Sequence, residues 1–360
     1  MGLPVDFGEV FRIAKDMKDV ASVPVSVSVI IDDTADAELA AHVRSAFAST
    51  NAHTRVTVTY LDAGWEAGAV REDFAVIVAG ASAEVGRLAA KIRGAGTPVM
   101  VATDDAGAVH AASVEAGNPL SPADIVAPVK LKSSLEEKAA ALVPALRARV
   151  DDVTDAGRIP LDEEAFKLLY QRMGEWIITT CPEKKLTLAL SFPFVRRPLA
   201  MDAISATSLQ NAAVGFVPIL PGADMPIMTL NQMKMVLQIA TAYGQPLDAN
   251  RVKELACVLG GAFVARNIAR SGAKLIPFAG WAISGAVGFA ATEAMGRAAV
   301  EYFEAGGDIV GVAQVVQTAR DGAVEAAGAA SRTPLGRRAA RAVADAVPAA
   351  GRILGIRQDV

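Results

Sequence analysis

The sequence predicts a small doubly wound α/β domain followed by an all-α, strongly apolar helical domain. Between residues 25 and 132, short β-branched runs alternate with segments of helical period, which is typical of a parallel sheet covered by helices. After residue 160 the apolar runs are longer and helical in period. We predict five segments: an amphipathic helix (1–22), the α/β domain (23–132), a helical connector and linker (133–160), the helical domain (161–307), and an Ala-rich helix with a basic tail (308–360).

Composition restricts the class of protein. Hydrophobic residues make up 52% of the chain, aromatic residues only 5%, and the formal net charge is −4. This charge argues against a general nucleic-acid binder, which needs an excess of Lys and Arg. Cys181 and Cys257 are the two cysteines, and they form no CxxC pair, so neither a disulfide framework nor a zinc site is predicted. The N-terminus lacks the pattern of a secretory signal, and we expect a cytoplasmic location.

The first half is predicted element by element from its periodicity. Phe7 to Ala21 has the pattern of a short amphipathic helix. Strands are predicted at Val25–Ile31, Arg55–Leu61, Phe74–Val78 and Pro98–Ala102. Helices are predicted at Ala35–Ser49, capped by Asp33 or Thr34, and at Ala83–Arg93. Turn residues from Gly117 to Pro128 close the domain, and a polar linker follows at Asp151–Pro160.

The second half is predicted to be helical. Glu163–Thr180 carries its apolar residues along one side, and Leu199–Val214 resumes the helical pattern before a proline-rich loop. Thr229 or Asn231 is expected to cap the next helix, which Gly244 is expected to stop. Another helix is expected to start at Asp248.

No residue between Lys274 and Glu293 is charged. This length is close to the ~18 to 20 residues that a helix needs to cross a bilayer. Gly280, Gly285 and Gly288 would let a second backbone approach closely, as small residues do in membrane helix pairs. The segment therefore suits either the central helix of a soluble bundle or one arm of a hairpin inserted in a membrane.

The C-terminal tail is basic. Six arginines face only two aspartates between residues 331 and 360. A basic amphipathic helix favours anionic lipid headgroups, although packing on an acidic surface of the protein is an alternative. The residues predicted to contact lipid or a partner are Trp281, Phe278, Arg337, Arg338, Arg341 and Arg352.

Three separated motifs carry a family resemblance. They are Pro218-Ile-Leu-Pro-Gly-Ala-Asp-Met-Pro226, the helix from Asn231 to Gly244, and Leu275-Ile-Pro-Phe-Ala-Gly-Trp-Ala282. Together they resemble the bacterial helical domain of unknown function 697, over roughly residues 160 to 305. Members of that family often follow an Era-like GTPase domain, and some are regarded as inner-membrane proteins. The resemblance thus implies a P-loop GTPase-like domain in front of the helices and an association with the cell membrane.

The groups that a GTPase needs are missing from the expected places. A phosphate-binding loop of the form GxxxxGK[ST] would follow the first strand, where the chain has Asp32-Asp33-Thr34-Ala35-Asp36. These carboxylates would repel a triphosphate. After the strand ending at Ala102, Thr103-Asp104-Asp105-Ala106 lacks the lysine that flanks guanine in the GTPases resembled. We therefore expect a degenerate GTPase-like domain, or a different small α/β domain without nucleotide chemistry.

The acidic turn after the first strand suits two other interpretations. Asp32, Asp33 and Asp36 could bind Mg²⁺ for phosphotransfer, but the later strand that would carry a phosphoacceptor ends in Ala79-Gly80. A solvated turn that caps a helix is the simpler prediction. His42, His53 and His110 have no catalytic partner at a recognisable spacing, and we expect them to be surface or loop residues.

The sequence predicts a non-catalytic, membrane-associated scaffold or recruitment protein with a pseudo-GTPase-like domain. Two alternatives stay open: an atypical nucleotide- or Mg²⁺-dependent phosphotransfer enzyme, and a soluble oligomerisation or interaction protein. No catalytic, metal-binding or cofactor-binding residue is predicted, and no cofactor. The expected partners are an anionic membrane surface, a second copy of the chain or another protein, and not nucleic acid.

Overall fold

Two compact units make up the chain. The computed structural model describes residues 7–61, 72–129, 151–216, 224–250, 252–253 and 280–330. One unit, here called the α/β unit, comprises Val20–Glu137 and Leu146–Leu199. The other, here called the helical unit, comprises Met1–Asp19, Lys138–Ala145 and Ala200–Val360.

A five-stranded, fully parallel sheet forms the centre of the α/β unit. The strands are β1 (Val25–Ile31), β2 (Thr54–Tyr60), β3 (Phe74–Val78), β4 (Val99–Ala102) and β5 (Ile125–Val126). Their order across the sheet is β2-β1-β3-β4-β5, and every neighbouring pair is parallel. This is the flavodoxin-like order of doubly wound domains, in which ligands bind between β1 and β3 at the carboxyl edge. The predicted parallel α/β fold is therefore confirmed.

The central strands form because β-branched and other apolar residues follow one another without polar interruption. Every residue of β3 and of β4 is buried, as expected for a parallel strand covered on both faces. On the adjacent strand β1, alternate residues from Val25 to Val29 and then all residues to Ile31 are buried. The predicted bounds of β1 and β3 are those observed.

In the described part of the α/β unit, three helices connect strands: α2 (Ala37–Ala46), α3 (Ala83–Gly94) and α4 (Ala106–Glu115). Asp36, Ser82 and Asp105 cap them through their side chains. The prediction that Asp33 or Thr34 caps α2 is wrong, because the chain first makes a turn after β1. Helix α4 was not predicted, and neither was the two-residue strand β5.

Two further helices pack on the sheet, after the short helix α5 (Asp151–Thr154). They are α6 (Glu163–Thr180) and α7 (Lys185–Ser191), with single 3-10 turns at Pro122–Asp124, Pro182–Lys184 and Pro193–Val195. Trp176 Nε1 donates to Asp124 Oδ1 over 3.2 Å, and Lys184 Nζ lies 2.7 Å from Asp73 Oδ1. The α/β unit thus extends to Leu199, whereas the sequence placed the start of the helical domain at residue 161.

The helical unit contains all of α1 (Phe7–Val20) except its last residue, and most of α8 (Arg196–Phe216). It also contains α9 (Asp224–Ala242), α10 (Gly280–Glu304) and α11 (Ile309–Ala330). Helix α9 already includes Asp224, so the prediction of a cap at Thr229 or Asn231 is wrong. Gly244 stops it as predicted: its φ is +75°, and Gln245 N donates back to Ala240 O over 2.9 Å. Among the described residues, no helix is both long enough and apolar enough to cross a membrane.

Candidate functional site at the carboxyl edge of the sheet

The carboxyl edge of the sheet is where a doubly wound domain binds its ligand. Here Asp32 follows β1, Gly80 lies two residues after β3, and Asp104 lies two residues after β4. The parallel register brings these three loops to the same edge. This edge is therefore the first place to look for a function of the α/β unit.

In the acidic turn after β1, the carboxylates of Asp32 and Asp36 accept hydrogen bonds from nearby residues of the chain. Asp32 is 3% exposed, and its Oδ2 accepts hydrogen bonds from the hydroxyl and the backbone N–H of Thr34. Asp36 Oδ1 accepts from Glu38 N at 2.9 Å and from Leu39 N at 3.2 Å at the start of α2. Two of the three aspartates proposed as magnesium ligands are thus engaged in turn and cap contacts. The helix-capping part of the simpler interpretation is confirmed for Asp36, but its prediction of a solvated turn is wrong for Asp32, which is buried.

Arg158, in the polar linker, joins two of these loops. Its Nε donates to Asp104 Oδ2 over 2.7 Å, and its terminal nitrogen donates to Asp36 Oδ2 over 3.3 Å. The hydrogen bond with Asp104 and the charge of that carboxylate raise the pKa of Arg158 further above its ordinary value. Asp104 is itself 4% exposed, so the guanidinium compensates a buried carboxylate. Arg158 of the linker therefore places a positive charge at the acidic carboxyl edge of the sheet.

The backbone of the same linker lies against α4. Ile159 N donates to Asp104 O over 2.9 Å, and Gly107 N donates to Ala156 O over 3.2 Å. A Cβ atom on Gly107 would lie 2.9 Å from the carbonyl oxygens of both Ala156 and Thr154, so only glycine fits here without a shift. The linker thus covers the first turn of α4.

Backbone N–H groups that could hold a phosphate at this edge already have acceptors within the protein. At α4, Ala108 N donates to Asp105 Oδ1 over 2.9 Å, in addition to the bond from Gly107 N to the linker. At α3, Glu84 N donates to Ser82 Oγ over 3.2 Å, and Gly80 N donates to Thr34 Oγ1 over 3.2 Å. With the cap of α2, each of the three helices facing this edge has at least one N–H group of its first turn bonded within the protein.

The residues that follow β4 have structural roles. Thr103 is fully buried, and its hydroxyl accepts from Asp105 N over 3.1 Å, which shapes the turn into α4. Asp104 is paired with Arg158, and Gly107 contacts the linker. The segment from Thr103 to Gly107 therefore forms the turn that starts α4. Within the described ranges, no group of three or more His, Cys, Asp or Glu residues is arranged to hold a metal ion.

A second feature of the α/β unit is an aromatic cluster in the groove between α2 and α6. The ring of His42 stacks on Phe166 with centroids 3.7 Å apart, and its Nδ1 lies 2.9 Å from Tyr170 Oη. Burial raises the pKa of Tyr170. The groove encloses about 430 Å³ and is rimmed by Glu38, Asp162 and Lys167. No partner of His42 could be recognised from sequence spacing, because its neighbours come from a helix more than a hundred positions away.

The helical unit contains a buried polar network that no motif in the sequence indicated. Thr292 Oγ1 on α10 accepts from Asn211 Nδ2 on α8 and from Gln232 Nε2 on α9, each over 3.0 Å, and donates to Gly288 O over 2.8 Å. Asn231 Nδ2 donates to Asn211 Oδ1 over 2.9 Å. A Cβ on Gly288 would lie 3.3 Å from Asn211 O, so small residues bring the three helices close together. These polar groups are satisfied inside the bundle.

The residues predicted to contact lipid or a partner lie mostly outside the described ranges. Trp281 stands in the first turn of α10, but its side chain is not among those described. The remaining predicted contacts, Phe278, Arg337, Arg338, Arg341 and Arg352, lie outside the described residues.

The chain was compared with protein families, with curated proteins and with solved structures. No family model, no curated protein and no solved structure matches it. The resemblance to the domain of unknown function 697 therefore stays a prediction.

Proposed function

We propose that this chain is a non-catalytic, membrane-associated scaffold. Its α/β unit offers a rigid surface for partners, and its helical unit and basic tail attach to an anionic membrane. The observation that carries the non-catalytic part is the bridge from Arg158 to Asp104 and Asp36 at the carboxyl edge. The guanidinium of Arg158 and the linker backbone lie at the carboxyl edge, where a ligand of a doubly wound domain would bind.

The polar network of Asn211, Gln232 and Thr292 supports docking on a membrane surface rather than separate insertion of these helices. Each of the three side chains is at most 3% exposed and has a hydrogen-bond partner in the bundle. If the helices separated into lipid, these amides would lose partners in a medium that offers none. In this proposal Phe278, Trp281 and the tail arginines provide the contact with lipid.

The family resemblance implies a GTPase-like ancestry for the α/β unit. The observed strand order is flavodoxin-like, and the acidic turn after β1 replaces any phosphate loop. The proposed function needs only an α/β unit whose carboxyl edge is occupied by the linker, and it does not depend on that ancestry.

Vesicle flotation with the full chain tests membrane attachment. We expect the protein to float with vesicles that contain an anionic phospholipid and to remain at the bottom with neutral vesicles. Reversing Arg337, Arg338 and Arg341 to Glu should reduce flotation at least tenfold, since each basic residue near an anionic surface contributes about 1 kcal/mol. The matched control reverses Arg87, Lys91 and Lys167 to Glu in the same chain. These are exposed residues of the α/β unit, so the change in net charge is equal and flotation should be unchanged.

Calorimetry with GTP, ATP and Mg²⁺ tests the non-catalytic part. We expect no saturable heat for nucleotide up to millimolar concentration. Magnesium-dependent hydrolysis that is lost in Asp33→Ala would instead support the phosphotransfer alternative. A protein that binds neither kind of vesicle would support the soluble interaction alternative and would contradict membrane attachment.

A further inference from the structure

The two edges of the sheet differ in length and in cover. Strand β5 has two residues, both buried, and α6 packs against it. Strand β2 has seven residues, with Val58 41% exposed and Tyr60 60% exposed. An exposed edge strand of this length without proline, glycine or a bulge is a template for pairing with another chain. No described residue pairs with its outer edge.

The hydrogen bonds with β1 show which groups of β2 face outward. His53 O accepts from Val25 N, and Leu61 N donates to Ile31 O, each over 2.8 Å. Backbone groups alternate in direction along a strand, so the odd-numbered residues between these two also face β1. The backbone N–H and C=O groups of Val56 and Val58 therefore point away from the sheet.

We propose that β2 pairs with β2 of a second copy of this chain, antiparallel and centred on Thr57, to give a continuous ten-stranded sheet. In this register Val56 lies opposite Val58 of the second copy, and their outward backbone groups exchange two hydrogen bonds in each such pair. The two copies of Thr57 face each other on the two-fold axis. Pairs of Thr residues and pairs of β-branched residues are favourable across antiparallel strands.

The charges of β2 fit this register. Arg55 is the single charged residue from Thr54 to Tyr60, and it lies opposite Thr59 of the second copy. Like charges therefore do not meet across the two-fold axis. A single ladder buries less than the about 1,600 Å² of a standard interface, so we expect the dimer to depend on concentration in the micromolar range. The dimer does not depend on membrane attachment and goes beyond the proposed function.

Sedimentation equilibrium of the full chain without lipid or detergent tests the proposal. We expect the weight-average mass to rise from that of one chain towards twice that value between about 1 and 100 μM. Val58→Lys should remain at the mass of one chain throughout, because it places two ammonium groups in the ladder. Its matched control is Val114→Lys, at a valine of α4 that is 51% exposed, and this variant should behave as the wild type.

A cysteine pair tests the register. Thr57→Cys should form a disulfide-linked dimer under mild oxidant, because facing residues at a non-hydrogen-bonded position have Cα atoms about 4.5 Å apart, within disulfide range. Thr59→Cys is the control: its two copies would lie four residues apart along the ladder, about 13 Å. A wild type that stays monomeric, a dimer unaffected by Val58→Lys, or equal cross-linking at both positions would overturn the proposal. Thermal unfolding of each variant verifies that it is folded.

Discussion

Thr292 holds together the polar network of the helical unit. Its hydroxyl oxygen accepts from Gln232 Nε2, for which no other acceptor is described, and from Asn211 Nδ2, which also donates to Met228 O over 3.3 Å. Thr292→Val keeps the shape of the side chain but leaves the Gln232 amide buried without this acceptor. We expect a loss of about 2 kcal/mol in the free energy of unfolding, measured by urea denaturation.

The matched variant is Thr292→Ser, which keeps the oxygen and removes one methyl group. We expect it to lose about 1 kcal/mol. Thr292→Val as stable as the wild type would show that the network adds nothing to the stability of this bundle.

Cys181 is a partly buried thiol at the end of α6. Burial, followed by the negative charge of Asp73 and opposed by Lys184, raises its pKa to about 11 from an ordinary value of 9.0. At pH 8 its thiolate fraction is therefore about 100-fold below that of an ordinary cysteine. In the Cys257→Ser protein we expect Ellman's reagent to react correspondingly slowly, and to react at once after unfolding in guanidinium chloride.

The same shift in pKa predicts a pH dependence of stability. The folded state retains the Cys181 proton above the pH at which the unfolded state loses it, so unfolding becomes easier as the pH rises from about 9 to about 11. Comparison with Cys181→Ala isolates this contribution. Equal pH profiles for the two proteins would contradict the assigned pKa.

At the scale of single elements, the sequence predicts best where apolar residues are continuous or strictly periodic. Strands β1 and β3 and helix α6 have their predicted bounds, because β-branched runs and a one-sided helical face leave few alternatives. Helix α4 was missed because Ala and Gly occupy both of its sides and give no period. Strand β5 was missed because two residues are too few to form a pattern.

Capping was predicted only in part, for a local reason. Gly244 is recognisable because the residue that ends a helix in the left-handed conformation is most often glycine. The cap of α2 was ambiguous, because four residues between Asp33 and Asp36 include three that can cap a helix. The first turn after β1 decides between them through the bonds from Thr34 to Asp32, and these depend on the fold.

At the scale of the whole molecule, periodicity showed that one face of α6 is buried but not what covers it. Phe74 and Trp176 pack with ring centroids 5.9 Å apart, and Phe47 and Phe192 with centroids 5.0 Å apart. The bridge from Arg158 to Asp36 likewise joins residues that are far apart in the sequence. The residues that occupy the carboxyl edge of the sheet could not be predicted from the sequence, because only the fold brings them together.

This packing predicts where the chain can be divided. A fragment of residues 20–199 should unfold cooperatively on heating, whereas residues 20–160 lack α6 and α7 and should not. The shorter fragment exposes Phe47, Phe74 and neighbouring apolar surface, which corresponds to several kcal/mol of lost burial. Circular dichroism and the dispersion of amide signals in NMR spectra measure both. A cooperative transition in residues 20–160 would contradict the extended α/β unit.

The glycines at the carboxyl edge also limit what can be engineered there. A Cβ on Gly80 would collide with the carbonyl oxygen of Thr34, and a Cβ on Gly107 would meet two carbonyl oxygens of the linker. At both glycines the closest neighbouring atoms belong to the backbone, so replacing nearby side chains by smaller ones cannot create space for a Cβ atom. Anyone grafting a cofactor pocket onto this scaffold would have to reroute the linker first, and only then choose the residues of the pocket.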